Sequence, residues 1–152
     1  METSFPDRAL AIRRAAARLC LRLPLHEVAL PNGRRADILA LRPDGCFACI
    51  EVKSGPRDYL TDLKWQDYRE FADELFFAVD VDFPQELLPA ETGLIVAAGL
   101  EAELLREAPA HPLAGARRRA LLHRFALLAA GRLATLEDPG GVAAMRAALR
   151  VE

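Results

Sequence analysis

Cysteine is scarce in this 152-residue chain: only Cys20, Cys46 and Cys49 occur. An odd count, in a chain with no export signal expected, argues against a disulfide framework. Cys46-x-x-Cys49 lies in the extended run CFACIEV, where residues three apart point to opposite faces, so buried thiols are expected rather than a metal or redox pair. Long apolar runs are also missing. The longest, such as Leu94 to Ala98 and Phe125 to Ala130, fall far short of the roughly 20 residues that span a bilayer. Glu2, Asp7, Arg8, Arg13 and Arg14 interrupt the start of the chain, so no secretory segment and a cytoplasmic location are expected. Lysine is nearly absent. Lys53 and Lys64 are the only two among 20 basic residues, leaving 18 arginines, the side chain whose planar fork matches phosphate. GC-rich codon usage gives the same excess, so it identifies nothing alone.

What is present suffices for one core. The composition is 52% apolar and 28% charged with a mean hydropathy of +0.07, enough apolar surface to offset ordering entropy, and a single domain over 1–152 is expected. The net charge of −2 conceals segregation. Residues 1–42 carry 8 basic and 4 acidic groups, residues 43–110 carry 5 and 15, and residues 111–152 carry 7 and 3.

Apolar spacings of three and four from Asp7 to Arg22 predict an amphipathic helix, stopped by Pro24. Leu25 to Leu30 and Arg35 to Leu41 flank Pro31-Asn32-Gly33 and predict a hairpin. Cys46 to Val52, apolar on both faces, predicts a central strand. A helix from Asp58 to about Asp73 follows, then strands at Leu75 to Val81 and Gly93 to Ala98, and helices at Leu113 to Ala130 and Gly141 to Leu149. The fold class is α/β, a mixed central sheet flanked by helices in the order α-β-β-β-α-β-β-α-α.

Three ionisable residues interrupt these apolar strands. Asp37 falls in the second hairpin strand, and Glu51 and Lys53 share one face at the end of the central strand. Burying such charges costs several kcal/mol unless they are paired or bind a metal. Asp37 and Glu51, brought together on adjacent strands, suit Mg²⁺ or Mn²⁺, which takes one or two carboxylates plus water and phosphate oxygens. Such a site hydrolyses phosphodiesters, with Lys53 positioning the nucleophile or stabilising developing charge. Glu27, in the first hairpin strand, is a further candidate, for a second metal or a metal-bound water. A structural ion pair at a strand end is the simpler alternative.

Gly33-Arg34-Arg35-Ala36-Asp37 followed by Ile50-Glu51-Val52-Lys53 resembles the D…E-x-K signature of the PD-(D/E)XK nuclease superfamily, with its restriction-endonuclease-like core. Lys64-Trp65, Asp67-Tyr68, Leu75 to Ala78, Gly93 to Val96, Arg106 to Pro109, Ala116 to Arg118 and Arg124-Phe125 extend the similarity to the MmcB-like family of bacterial DNA repair proteins over nearly the whole chain. That resemblance implies Asp37 and Glu51 as metal ligands, the Val52 carbonyl as a third and Lys53 as the catalytic lysine. It also implies a polar residue on the following helix facing the site. Lys64 and Gln66 compete for that place about 200° apart, and Lys64 belongs to the family-like pair. Alanine at position 36 stands where the signature has proline.

Arg34 and Arg35 near the site, and Arg117 and Arg124 aligned seven apart on a helix, are candidate contacts for DNA phosphates. Trp65 and Tyr68 are expected to face the core rather than stack on bases. The leading expectation is a metal-dependent nuclease acting in repair on branched, single-stranded or damaged DNA, without membrane contact and with a homodimer as a candidate form. The alternative is a DNA-binding or partner-binding module that keeps the fold with little hydrolytic activity.

Overall fold

The computed structural model describes residues 5–19, 23–62 and 64–150. Its order is helix α1 (Phe5–Leu19), strands β1 (Leu23–Ala29), β2 (Arg35–Leu41) and β3 (Phe47–Val52), helix α2 (Pro56–Thr61), and a 3-10 helix over Trp65–Phe71. Strands β4 (Glu74–Asp80), β5 (Gly93–Ala98) and β6 (Glu101–Arg106) follow, then helices α3 (Gly115–Glu137) and α4 (Pro139–Leu149). The chain divides into two compact units, residues 1–113 and 114–152.

The first unit is a six-stranded mixed sheet in the order β1-β2-β3-β4-β5-β6. Strands β1 to β3 run as an antiparallel meander, β3, β4 and β5 are mutually parallel, and β6 returns antiparallel to β5. All six residues of β3 are buried, as expected of an interior strand covered on both faces. Pleat alternation sorts its side chains. Ala48, Ile50 and Val52 join Ile38, Ala40, Phe76 and Ala78 beneath Ile12, Ala15 and Ala16 of α1. On the opposite face Phe77 packs edge-on against Tyr59 at 5.6 Å and Trp65 at 6.0 Å. Each fully buried Ile or Phe contributes about 1.5–3 kcal/mol. The result is a mixed α/β sheet flanked by helices, the arrangement of a restriction-endonuclease-like core.

Two expectations are corrected. The helix expected from Asp58 to Asp73 is broken: α2 ends at Thr61, Asp62 is non-helical (φ −96°, ψ 88°), and the chain resumes as the 3-10 helix. The Asp62 side chain is drawn into a tertiary ion pair with Lys53, which outweighs the helical periodicity. Strand β6 was not expected, because Glu101, Glu103 and Arg106 make it polar. It is an edge strand, and its Ala102 packs against the α1-side core. The first helix ends at Leu19 in the described residues, and Cys20 to Arg22 lie outside them.

In the second unit Asp138 caps α4, its carboxylate accepting the Gly141 amide at 3.1 Å, with Pro139 at the first helical turn. Among the described residues no helix is long and apolar enough to cross a membrane.

Candidate functional site

The antiparallel ladder of β2 and β3 ends at Ile38 with Ile50. One step further the register sets Asp37 opposite Glu51, and there side chains replace the backbone ladder. The Asp37 amide donates to Glu51 Oε1 at 3.2 Å, and the Val52 amide donates to Asp37 Oδ2 at 2.8 Å. Two backbone donors that a splayed strand end would strand are thus satisfied by the two carboxylates. Neighbouring β4 stays paired, the Lys53 amide donating to the Ala78 carbonyl at 3.0 Å.

This arrangement brings two acids together out of water. Burial, and then the charge of Asp37, pushes the Glu51 carboxyl up to about 8. Burial also raises Asp37, against the Val52 amide and the charge of Lys53, which lower it. Lys53 is itself buried, and its Nζ meets Asp62 Oδ2 at 2.8 Å. Although burial disfavours the Asp62 anion, its hydrogen bond and attraction to Lys53 hold that carboxyl below the ordinary range. All four line an open cleft of about 630 Å³.

The other expected residues are distributed unevenly. Val52 and Arg35 line the cleft, and Arg35 is exposed. Arg34 is turned aside, its Nε on Asp67 Oδ2 at 3.2 Å. Glu27 also borders the cleft, but its carboxylate is paired with Arg13 Nη1 of α1 at 3.0 Å. Lys64 and Gln66 are both exposed and neither lines the cleft. The 3-10 geometry, with three residues per turn, replaces the helical wheel on which their competition rested. Tyr68 of the same 3-10 helix reaches the cleft. It is buried, borders the cleft and donates its hydroxyl to the Arg35 carbonyl at 3.3 Å. Burial, and next the Glu51 charge, raises its phenol well above the ordinary value. Arg117 and Arg124 are exposed on α3 in the second unit. Cys49 is buried and Cys46 partly so, with the Cys49 thiol raised by burial.

Sequence reasoning missed Arg13, Asp58, Asp62 and Tyr68 as cleft residues. Arg13 had no distinguishing signal among the other arginines of α1. Tyr68 was legible only as an interior aromatic. Asp58 reads as a helix cap, yet its carboxylate takes the Ser54 amide at 3.2 Å.

No cluster of three or more His, Cys, Asp or Glu side chains able to hold an ion occurs among the described residues. Asp37 and Glu51 form a two-carboxylate set of hard oxygen donors. Such a set fits a Mg²⁺-like ion, which completes its shell with water and substrate oxygens. A softer ion demanding a full protein cage is not matched.

Residues 1–140 match the family described as DNA repair protein MmcB-like. The fold is also similar to SPO1766, a protein of unknown function from Silicibacter pomeroyi, with a TM-score of 0.80 and 41% sequence identity, covering 93% of this chain and 97% of that one. Comparison with curated proteins yields no match. With the family match spanning the whole sheet and the paired carboxylates within it, the chain belongs to the MmcB-like family of DNA repair proteins.

Proposed function

We propose that this protein hydrolyses DNA phosphodiester bonds in a Mg²⁺- or Mn²⁺-dependent manner. The observation that carries the reading is the facing pair Asp37 and Glu51, two carboxyls both raised in pKa and held beside the buried Lys53 in an open cleft. A structural ion pair alone would put opposite charges together. Here two acids share a buried strand end where each opposes the other's ionisation, and a divalent cation favours the doubly ionised pair.

Asp37 and Glu51 would hold the ion. When bound, such an ion lowers the pKa of water and neutralises charge on phosphoryl oxygens. Lys53 supplies a fixed positive charge toward the cleft, kept in place by Asp62, and favours the more negative transition state over the ground state. Tyr68 stands beside Glu51, whose charge helps raise its phenol. Arg35 at the rim offers a phosphate contact. The substrate proposed is DNA that is branched, single-stranded or damaged, with a homodimer as the form that engages a duplex.

The test is cleavage of labelled duplex, single-stranded, flap, fork and junction DNAs with Mg²⁺ or Mn²⁺, alongside calorimetric titration with Mn²⁺. Metal binding is expected in the wild type and lost in Asp37→Asn and Glu51→Gln. Cleavage is expected to fall about 10²–10³-fold in Lys53→Ala, which keeps both carboxylates. Cleavage that survives Lys53→Ala and Glu51→Gln alike would come from a contaminant. DNA binding with no metal-dependent cleavage of any substrate overturns the proposal in favour of a binding module.

A further inference from the structure

The cleft has a second feature on its α1 side. In the β1–β2 ladder His26 pairs with Ile38 and Val28 with Ala36, and the intervening pair of Glu27 with Asp37 is skipped. Glu27 has φ 51°, the left-handed region that non-glycine residues avoid. Backbone held there is maintained by its surroundings and recurs at functional sites. Its effect here is to send the Glu27 carboxylate to Arg13 of α1, Oε1 to Nη1 at 3.0 Å.

Arg13 is only partly used by that contact. Its side chain is 22% exposed and borders the same cleft as Asp37, Glu51 and Lys53. Its Nε is buried and meets no hydrogen-bond acceptor among the described residues. A guanidinium carries five donors in a fixed fork, and here one terminal nitrogen pairs with a single Glu27 carboxylate oxygen. The pair is open to water on the Glu27 side, which is 52% exposed, and such a pair contributes about 1 kcal/mol or less.

From the left-handed residue within β1, the half-used fork and its place in the cleft, we infer that Arg13 is a phosphate-binding residue, held in place by Glu27 until a nucleic-acid backbone phosphate displaces that carboxylate. The inference rests on the reading that DNA enters this cleft. It does not require hydrolysis. A phosphate offers the fork two acceptor oxygens and a full charge, which a half-exposed carboxylate matches poorly. Glu27 then acts as an anionic placeholder for Arg13 rather than as a metal ligand.

The test measures affinity of the full chain for a labelled DNA duplex by anisotropy, over a series of salt concentrations in EDTA, so that cleavage is absent from the readout. Glu27→Gln is expected to bind more tightly than wild type. Adding Arg13→Gln to Glu27→Gln is expected to reverse that gain and to reduce the log–log salt slope by about 0.9, the contribution of one duplex phosphate contact. Between 50 and 200 mM salt that slope difference corresponds to about a threefold smaller loss of affinity. Arg13→Lys is expected to keep the slope, and the melting temperature of the double variant checks that charge rather than folding has changed. Equal slopes and affinities in Glu27→Gln and the double variant overturn the inference, as does the absence of measurable binding by wild type at low salt. An Arg13-dependent slope without hydrolysis leaves this site standing and removes the nuclease. Hydrolysis with an unchanged slope removes only this site.

Discussion

The amide of Asp37 donates to Glu51 Oε1 at 3.2 Å across the end of β2 and β3, one residue past the last paired position of their ladder. Each acid therefore serves the fold and the cleft at once. One oxygen of each accepts an amide that the diverging strands would otherwise leave unpaired. A side chain with that dual task is expensive to ionise where it sits, because burial and the second carboxylate both oppose the charge.

For Glu51 this sets a pH dependence. A carboxyl at about 8 in the folded protein, against an ordinary value of 4.5, binds more protons folded than unfolded across that interval. Stability must then fall as pH rises from about 4.5 to 8 and level off above. The expected loss is on the order of a few kcal/mol in metal-free protein. Glu51→Gln should remove most of it and melt higher than wild type at pH 8. Mn²⁺ binding at pH 7 should release about one proton, seen as a heat that varies with buffer ionisation enthalpy. A melting temperature that is flat between pH 5 and 8 would contradict the assignment.

Lys53 and Asp62 predict the opposite limb. Asp62 is held below its ordinary 3.8, so its contribution is present above that value and is lost as pH falls through the lower folded value. Asp62→Asn should flatten the acid loss below about pH 4 and leave the alkaline limb unchanged. Lys53→Met alone leaves a partly buried carboxylate without its cation. Combining it with Asp62→Asn should recover part of the loss, with a coupling energy of about 0.5–3 kcal/mol in a double-mutant cycle by urea denaturation. Additive single effects would mean the 2.8 Å pair is energetically silent.

The fold was legible where period and turn chemistry agreed. Asn32-Gly33 between two apolar runs announced the β1–β2 hairpin, and Gly33 adopts φ 83° there. The apolar run into Val52 announced β3, and Asp37, Glu51 and Lys53 were visible as charges where apolar side chains belonged. What failed was local pattern opposed by tertiary contact. Leu60, Trp65 and Tyr68 keep helical spacing, yet Asp62 turns to Lys53 and breaks the helix. The polar β6 carries almost no apolar alternation to read. Arg13 and Glu27 lie 14 residues apart in the sequence, and nothing in it shows that a left-handed residue joins them.

Adjacent arginines should separate in function. Sequence offered Arg34 and Arg35 together as phosphate contacts, but Arg34 is engaged by Asp67 at 3.2 Å while exposed Arg35 borders the cleft. Arg35→Ala should therefore lower the salt slope of duplex binding by about 0.9. Arg34→Ala should leave the slope nearly unchanged and cost stability of less than about 1 kcal/mol, as for a half-exposed pair. The reverse ranking would place the DNA on the Asp67 side.

Asp73 provides a test of architecture separate from chemistry. It is 3% exposed and ties three segments together just before β4. Its carboxylate accepts the Phe47 amide at 2.7 Å and the Leu113 amide at 2.9 Å, and its carbonyl accepts the His111 amide at 2.7 Å. Its own amide donates to the Phe47 carbonyl at 2.9 Å. Asp73→Ala removes these two carboxylate acceptors, leaving the start of β3 and the segment entering Leu113 with amides that have lost their partner. Each such loss costs about 1–3 kcal/mol, so urea denaturation should show a drop of about 2–6 kcal/mol. Asp73→Asn retains one acceptor oxygen and should lose roughly half as much. Because the knot lies at the opposite end of β3 from Glu51, Mn²⁺ affinity in the folded variant should stay within about twofold of wild type, since distant sites act independently. A larger change in metal affinity would mean that the two ends of β3 are mechanically coupled.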